Sequence, residues 1–505
     1  ILLLLIVATV GVEVKRPHVV FVLADDLGYN DIGYNGRSHH SATRTPFLDS
    51  LARNGMILKN YYTHSVCSPT RGSLLTGRNR IHIGLQHDCI HGTQIEGLPL
   101  DNVLLPEQLT HCGYNTQMIG KWHLGFSSES YLPWKRGFRG FYGFLTGSEN
   151  YWSKHTNAVK HSKVKELKGG IDFTDSDHGP TNATWGKFSS LVYAERAKHV
   201  ISNHDKSKPL FLFLSLQTPH SPLGAPAKYY KPFRKIKDKK RKQYLSMVAA
   251  LDETVRNVTS YLQDAGMWSD TLLIFSTDNG GNVNEGGNNW PYRGSKNTMY
   301  EGGNKAVGFV HGPLLGVGSR GHHNMEQLFH VSDWYPTIME ATKCQYIAEE
   351  HKRKLDGYNQ WDVLRGRAVS QRYEIVHTLD PINRTSEVAD VQYGFDVNVQ
   401  AAIMNERWKL LTGNPGCMGG WYPPAEAKEL VAAIDIRGNK TIQLYDIVSD
   451  PLEQYEVSSL YPAVVKELLE RLAYHNSTAR PPISRASDDK NACLRWADGY
   501  IRPWR

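Results

Sequence analysis

Six cysteines in 505 residues are too few and too widely spaced to staple a small scaffold, so the fold must rest on a packed core. Long apolar runs are also missing. The best, residues 1–12, is too short to cross a bilayer and ends in small residues before Lys15-Arg16-Pro17. With neither an initiator methionine nor a basic flank ahead of it, it reads as the remainder of a signal peptide, residues 1–14. No internal repeat or low-complexity tract appears, which sets aside solenoid and fibrous architectures. The formal net charge of +8 is modest for the length, and no recognised nucleic-acid module accompanies it, so no nucleic-acid partner is expected. The charge is uneven, however: residues 228–242 hold nine lysines and arginines against a lone Asp238. Such a run is either a solvated loop and helix start or a rim that attracts polyanionic substrates.

What is present is a soluble globular composition, 40% hydrophobic and 21% charged, in a chain long enough for two domains. Residues 18–24 (His-Val-Val-Phe-Val-Leu-Ala) form a continuous β-branched run, the mark of a strand buried on both faces, and it ends in Asp25-Asp26-Leu27-Gly28. Residues 210–216 and 271–276 repeat the pattern and end near His220 and in Asp278-Asn279. Three buried strands thus deliver polar residues at their carboxyl ends, where an open α/β sheet keeps its ligands. Adjacent carboxylates repel unless a cation lies between them, which points to a hard divalent metal. Helices are expected over residues 45–55, 105–112, 244–265 and 331–342, and a strand over 116–120. On an extended segment Lys121 and His123 would face the same side. After about residue 355 the pattern changes to strands over 401–412 and 441–447 and an amphipathic helix over 461–474. The expected organisation is therefore a larger α/β unit, 15–355, and a smaller antiparallel sheet with one helix, 356–505. Five N-x-S/T sequons, at Asn182, Asn257, Asn383, Asn439 and Asn476, fit passage through the secretory pathway.

The segment 66–78 organises the rest: Val-Cys-Ser-Pro-Thr-Arg-Gly-Ser-Leu-Leu-Thr-Gly-Arg. Proline at the first helical position and Gly77 as a stop describe a short helix fed by a loop. A side chain at Cys67 would meet the positive end of the helix dipole, with Arg71 one turn along. That is a place for an anion.

Cys67-Ser68-Pro69-Thr70-Arg71 followed by Leu74-Leu75-Thr76-Gly77-Arg78 resembles the signature of the formylglycine-dependent type I sulfatase family, as does Gly120-Lys121-Trp122-His123-Leu124-Gly125. The resemblance extends over nearly the whole chain, to Arg407-Trp408-Lys409-Leu410-Leu411-Thr412-Gly413. It implies an alkaline-phosphatase-like fold, a large, mostly parallel mixed sheet flanked by helices, and hydrolysis of sulfate monoesters, aryl sulfates or sulfated sugars such as N-acetylgalactosamine 4-sulfate. It further implies that Cys67 is oxidised to formylglycine by a formylglycine-generating enzyme, and that one Ca²⁺ is held by Asp25, Asp26, Asp278, Asn279 and the modified Cys67. By the same resemblance Lys121 and Lys296 grip sulfate oxygens, Arg71 and His123 hold the formylglycine, His220 protonates the leaving oxygen, and Cys89 pairs with Cys493. The expected destination is the lysosome or the exterior, without a membrane span. Two other readings share the scaffold: a phosphatase or phosphonate hydrolase, and a non-catalytic binder of sulfated glycans. Residues 296–300 (Lys-Asn-Thr-Met-Tyr) depart from the nearest family pattern, which has a tryptophan after the lysine, so the pocket wall is expected to differ.

Overall fold

Apolar runs buried on both faces form the centre of the molecule in a computed structural model describing residues 16–36, 38, 40–156, 169–316, 324–433, 440–483 and 498–505. The expected signal-peptide remainder lies outside these residues. The strands are β1 (His18–Asp25), β2 (Met56–Tyr62), β3 (Asn115–Lys121), β4 (Gly140–Phe144), β5 (Thr174–Asp175), β6 (Gly179–Pro180), β7 (Leu210–Pro219), β8 (Thr271–Thr277), β9 (Gly308–His311) and β10 (Asn324–His330). They form one sheet in the order β10-β2-β9-β8-β1-β7-β3-β4-β5-β6. Its central run, β8-β1-β7-β3-β4, is parallel, while β9 runs antiparallel to both of its neighbours.

The two faces of β1 seed two cores. Val19, Phe21 and Leu23 join the cluster that holds Leu74, Leu75, Leu105, Leu109 and Trp334. Val20, Val22 and Ala24 join the one that holds Leu48, Leu51, Val192, Leu245 and Val248. Helices Cys67–Thr76, Leu105–His111 and Trp334–Ala341 therefore cover one face, and Pro46–Arg53, Ser189–Ser202 and Lys239–Asp264 the other. The last helix starts inside the basic run, five residues earlier than its apolar spacing suggests, because the Asp238 carboxylate caps the Arg241 amide at 2.7 Å. Its buried Leu245, Val248, Leu251, Val255, Val258 and Leu262 are each worth about 1.5–3 kcal/mol relative to exposure, more than enough to fix a lysine-rich first turn.

A second sheet of Glu374–Arg384, Val399–Asn405, Trp408–Thr412 and Ile442–Asp446 is antiparallel throughout. The expected single strand over 401–412 is thus a hairpin, turning at 406–407. Helix Pro462–Thr478 seats Val465, Leu468, Leu469 and Leu472 on this sheet. Lys409 joins the two parts: buried to 0% exposure, it pairs with Glu301 at 2.9 Å and Glu453 at 3.0 Å.

One disulfide is described, Cys112–Cys344, with Cα atoms 5.8 Å apart. Sequence reading assigns it no partner, since only the fold brings the end of one helix to the end of another. The expected Cys89–Cys493 bridge is not formed from the Cys89 side: Cys89 is a free thiol turned toward Cys67, and Cys493 lies outside the described residues.

Candidate active site

Strand register assembles the site. Asp25 lies level with Pro219 of β7, and Ala24 level with Thr277 of β8, so Asp25-Asp26, His220 and Asp278-Asn279 leave the sheet side by side. Asp26 adopts φ 61°, a left-handed conformation that costs on the order of 1–3 kcal/mol away from glycine and tends to persist where a site demands it. Its amide donates to Asp278 Oδ1 at 3.1 Å.

Cys67 is the first residue of its helix, which ends at Gly77 in the left-handed region, φ 67°. Pro69 is therefore the third helical residue rather than the first, still within the turn where a missing N–H costs nothing. The thiol is 2% exposed. Its Sγ lies 3.6 Å from Asp25 Oδ1 and 3.4 Å from Lys296 Nζ. Asp25, Asp26, Cys67 and His220 bring one ligand atom each within 4.8 Å of one another, and Cys67, Cys89 and His123 form a second such group. The Cys89 thiol, with Lys121, Lys296 and His123, holds the Cys67 thiol well below its ordinary range in spite of burial. That is the environment of a reactive sulfur.

Lys121 and His123 both reach this centre, though not by strand alternation. Strand β3 ends at Lys121 and His123 turns to φ 59°, with the Ser68 hydroxyl donating to its carbonyl at 2.9 Å. The fold is tight beside Lys121: Gly120 has φ 108°, and a Cβ there would stand 1.9 Å from the Ser215 carbonyl. Ser215 in turn accepts from Arg71 Nη1 at 2.7 Å and donates to the Lys121 carbonyl at 2.7 Å.

Two buried cations and the half-buried Lys296 face three buried carboxylates. Lys121 Nζ donates to Asp25 at 2.7 Å, Lys296 Nζ to Asp26 at 2.6 Å, and Arg71 Nη2 to Asp278 at 2.8 Å. Burial and the Asp278 charge still push the Asp25 carboxyl well above the usual carboxylate range. Burial works against the ammonium of Lys296, yet Asp26 and Cys67 outweigh it and hold it well above the ordinary lysine value. Burial brings His123 down to about 3 and His220 down to about 4, so both rings are neutral. His220 is close to Ser221 O through Nδ1, which leaves Nε2 facing Asp26 Oδ2 at 3.7 Å.

Several buried polar atoms at this centre have no hydrogen-bond partner: Asn279 Oδ1, His123 Nδ1, Arg71 Nε and Glu149 Oε2. An orphaned amide oxygen beside three carboxylates is what a hard divalent cation would take. Asp25, Asp26, Asp278 and Asn279 thus fit Ca²⁺ by donor chemistry. The charges agree, since three acids already balance three cations, and two more positive charges would be met by an anionic ester and an ionised nucleophile.

The centre opens into a cavity of about 930 Å³ that Cys67, His123, His220 and Lys296 share with Cys89, His91, Glu149, Asn150 and His155. Of these last five, sequence reading names only Cys89, and as half of a disulfide rather than as part of the site. Glu149 carries the clearest signature after folding, burial raising its carboxyl to about 8. Of the sequons, Asn182 and Asn476 are exposed, Asn257 and Asn383 half-buried, and Asn439 outside the described residues.

A parallel sheet whose carboxyl edge presents a buried nucleophile among acids and lysines defines a hydrolase of anionic esters. The sulfatase family pattern matches residues 17–344. Arylsulfatase J of Mus musculus is 40% identical over 501 residues, 97% of this chain and 80% of that protein. N-acetylgalactosamine-6-sulfatase of Mus musculus is 30% identical over 324 residues, 60% of this chain and 59% of that one. Among solved structures, Ps i-CgsB in complex with k-i-k-neocarrahexaose superposes with a TM-score of 0.75 at 26% identity, covering 95% of this chain and 97% of that one. The chain belongs to the sulfatase family and is a sulfuric ester hydrolase.

Proposed function

We propose that the chain hydrolyses sulfate monoesters of sugars, with Cys67 converted to formylglycine and Ca²⁺ held by Asp25, Asp26, Asp278, Asn279 and the modified side chain. The observation that carries this reading is the seat of Cys67, at a helix N-terminus between Asp25 and Lys296, in the same cavity as His123 and His220. The aldehyde hydrate would supply two geminal hydroxyls, one to attack sulfur and one whose deprotonation expels sulfate, and Ca²⁺ would supply Lewis acidity at the sulfuryl oxygens.

Lys121 and Lys296 bind sulfate oxygens, which develop charge as the ester bond breaks. Arg71, held by Asp278 and Ser215, fixes the position of residue 67 from one turn along the helix. His220 gives the leaving oxygen its proton from Nε2. Its ring must be protonated to do so, and the negative charge of a bound ester favours that form against burial. His123 takes the proton of the second hydroxyl. Because residue 67 is buried in the folded chain, the formylglycine-generating enzyme acts before this segment folds.

Sugar substrates are supported by the amino-sugar name of one relative, by the hexaose named with a solved one, and by the segment 407–413, which resembles N-acetylgalactosamine-4-sulfatase (arylsulfatase B). Exposed sequons and a disulfide fit the secretory pathway, lysosomal or secreted. Among the described residues no helix is long and apolar enough to cross a membrane. We also keep the division into 15–355 and 356–505 as a proposal.

Mass spectrometry of the residue 67 peptide tests the modification, with formylglycine expected in protein from cells that hold the modifying enzyme. Cys67→Ser should give no multiple turnover on an aryl sulfate and retain sulfate on the serine. Normal turnover by that variant would refute the role. Faster cleavage of aryl phosphate than aryl sulfate by the unaltered protein would favour the phosphatase reading.

A further inference from the structure

Segment 228–240 is laid out as a surface device. Tyr229, Phe233 and Ile236 are buried and anchor it, while Lys231, Arg234 and Lys235 between them and Lys237 and Lys239 after them are exposed. Among the described residues these five have no ion pair. Lys228 pairs with Glu253 at 2.6 Å and Lys240 with Glu285 at 3.0 Å. The lone acid of the segment, Asp238, has its carboxylate committed to the Arg241 amide.

The catalytic cavity has wall residues shortly before the segment in the chain, and one that is tied to its downstream end. His220, Ser221 and Pro222, just upstream, line its wall, and so does Glu285, which Lys240 grips at the other end. Lys240 Nζ also donates to the Asn284 carbonyl at 2.7 Å. The next residue, Arg241, is buried and pinned to Asp31 at 2.6 Å and to Glu426 at 3.1 Å, so the downstream end is held in place.

We propose that 228–240 is a polyanion-binding ridge that holds the flanking sulfates or carboxylates of a sulfated polysaccharide whose ester lies in the pocket. The inference rests on the reading that the substrate is a sulfated sugar. A small aryl sulfate has one anion, which the pocket uses, and its turnover does not depend on the ridge. A chain with an anion on each unit presents further charges outside the pocket, which unpaired cations on a neighbouring segment attract over about a Debye length, about 10 Å at 0.1 M salt. An anionic membrane or a nucleic acid would meet the same charges, but neither has reason to seek a ridge tied at Lys240 to the wall of an ester-cleaving cavity.

The triple variant Lys231→Gln/Lys235→Gln/Lys237→Gln changes exposed positions only and leaves Lys228 and Lys240 in their pairs. With p-nitrophenyl sulfate its kcat and KM should equal those of the unaltered enzyme. With a sulfated polysaccharide KM should rise about tenfold to a hundredfold at low salt, three surface contacts each contributing a factor of about 2–5, with kcat unchanged and a shallower dependence on salt. Dextran sulfate, as competitor of aryl sulfate turnover, should inhibit the unaltered enzyme more strongly than the variant, a readout that holds even if no polysaccharide tried is a substrate. In that event the sugar reading fails while the ridge is still judged. Equal inhibition of both proteins by dextran sulfate would overturn the ridge. So would binding to phosphatidylserine vesicles or duplex DNA that the variant loses while its polysaccharide kinetics stay unchanged.

Discussion

Replacing Lys409 by methionine tests whether the two parts of the molecule are bound by one buried ion cluster. The ammonium is at 0% exposure, between Glu301 at 2.9 Å and Glu453 at 3.0 Å, while Lys305 reaches Glu301 only at 3.6 Å. Burial works against the charge of Lys409, but Glu301 and Glu453 outweigh it and keep it above the ordinary lysine value. Burial lifts Glu453 to about 7 in spite of that cation. Methionine fills most of the volume and removes the charge, leaving two carboxylates without their shared partner. Breaking a buried pair from one side costs ~3–5 kcal/mol.

Across 505 residues the unfolding entropy is about 1 kcal/mol/K, so the melting midpoint should fall by ~3–5 °C. The pH dependence has a definite sign. Glu453 is raised above its unfolded value, so its contribution is most favourable at low pH and is lost as pH climbs from the usual glutamate range through about 7. Without Lys409 its folded value moves higher, and each further pH unit costs ~1.4 kcal/mol per retained proton. The deficit of Lys409→Met against the unaltered protein should therefore be larger at pH 8 than at pH 5 in parallel thermal melts. A shift under 1 °C at pH 8, or equal deficits at both values, would refute the reasoning.

Three further outcomes are expected. Gly120→Ala drives a Cβ to 1.9 Å from the Ser215 carbonyl at φ 108° and should cost about 3 kcal/mol or more, read as loss of soluble yield and a lower midpoint. Chelation by EGTA should abolish aryl sulfate turnover reversibly. Independently of activity, Ca²⁺ at one hundred times its Kd should stabilise the protein by about 2.7 kcal/mol, a rise of 2–3 °C. Glycopeptide mapping should find Asn182 and Asn476 occupied and Asn383 bare, because Asn383 is half-buried and its Nδ2 donates to Gln400 Oε1 at 2.9 Å.

The sheet was legible because its strands are buried on both faces, so β1, β7 and β8 read as unbroken apolar runs whose last residues are polar. That one feature marks Asp25, Asp26, His220, Asp278 and Asn279 together. Cys67, Arg71, Lys121 and His123 needed the longer strings around them, since a short loop or a single imidazole is ambiguous alone. The rest depended on distance in space. Nothing in the sequence says that Cys89 turns toward Cys67, that Cys112 meets Cys344, or that Glu149 and His155 close the same cavity. Local backbone geometry was equally hidden: Lys121 and His123 converge through a left-handed turn at His123 rather than through strand alternation, and the Lys239–Asp264 helix begins at a side-chain cap that apolar spacing does not reveal.

If Cys67 is the precursor of formylglycine, its 2% exposure would make the enzyme's history part of its chemistry. If the thiol is converted before the chain closes over it, folding and modification race, and a molecule that folds first is sealed with an ordinary cysteine. Converted and unconverted molecules would then share one fold, differ by a few atoms and melt almost together. Specific activity would report how fast the polypeptide was made relative to its modifying enzyme, and slower synthesis would yield a more active preparation from the same gene.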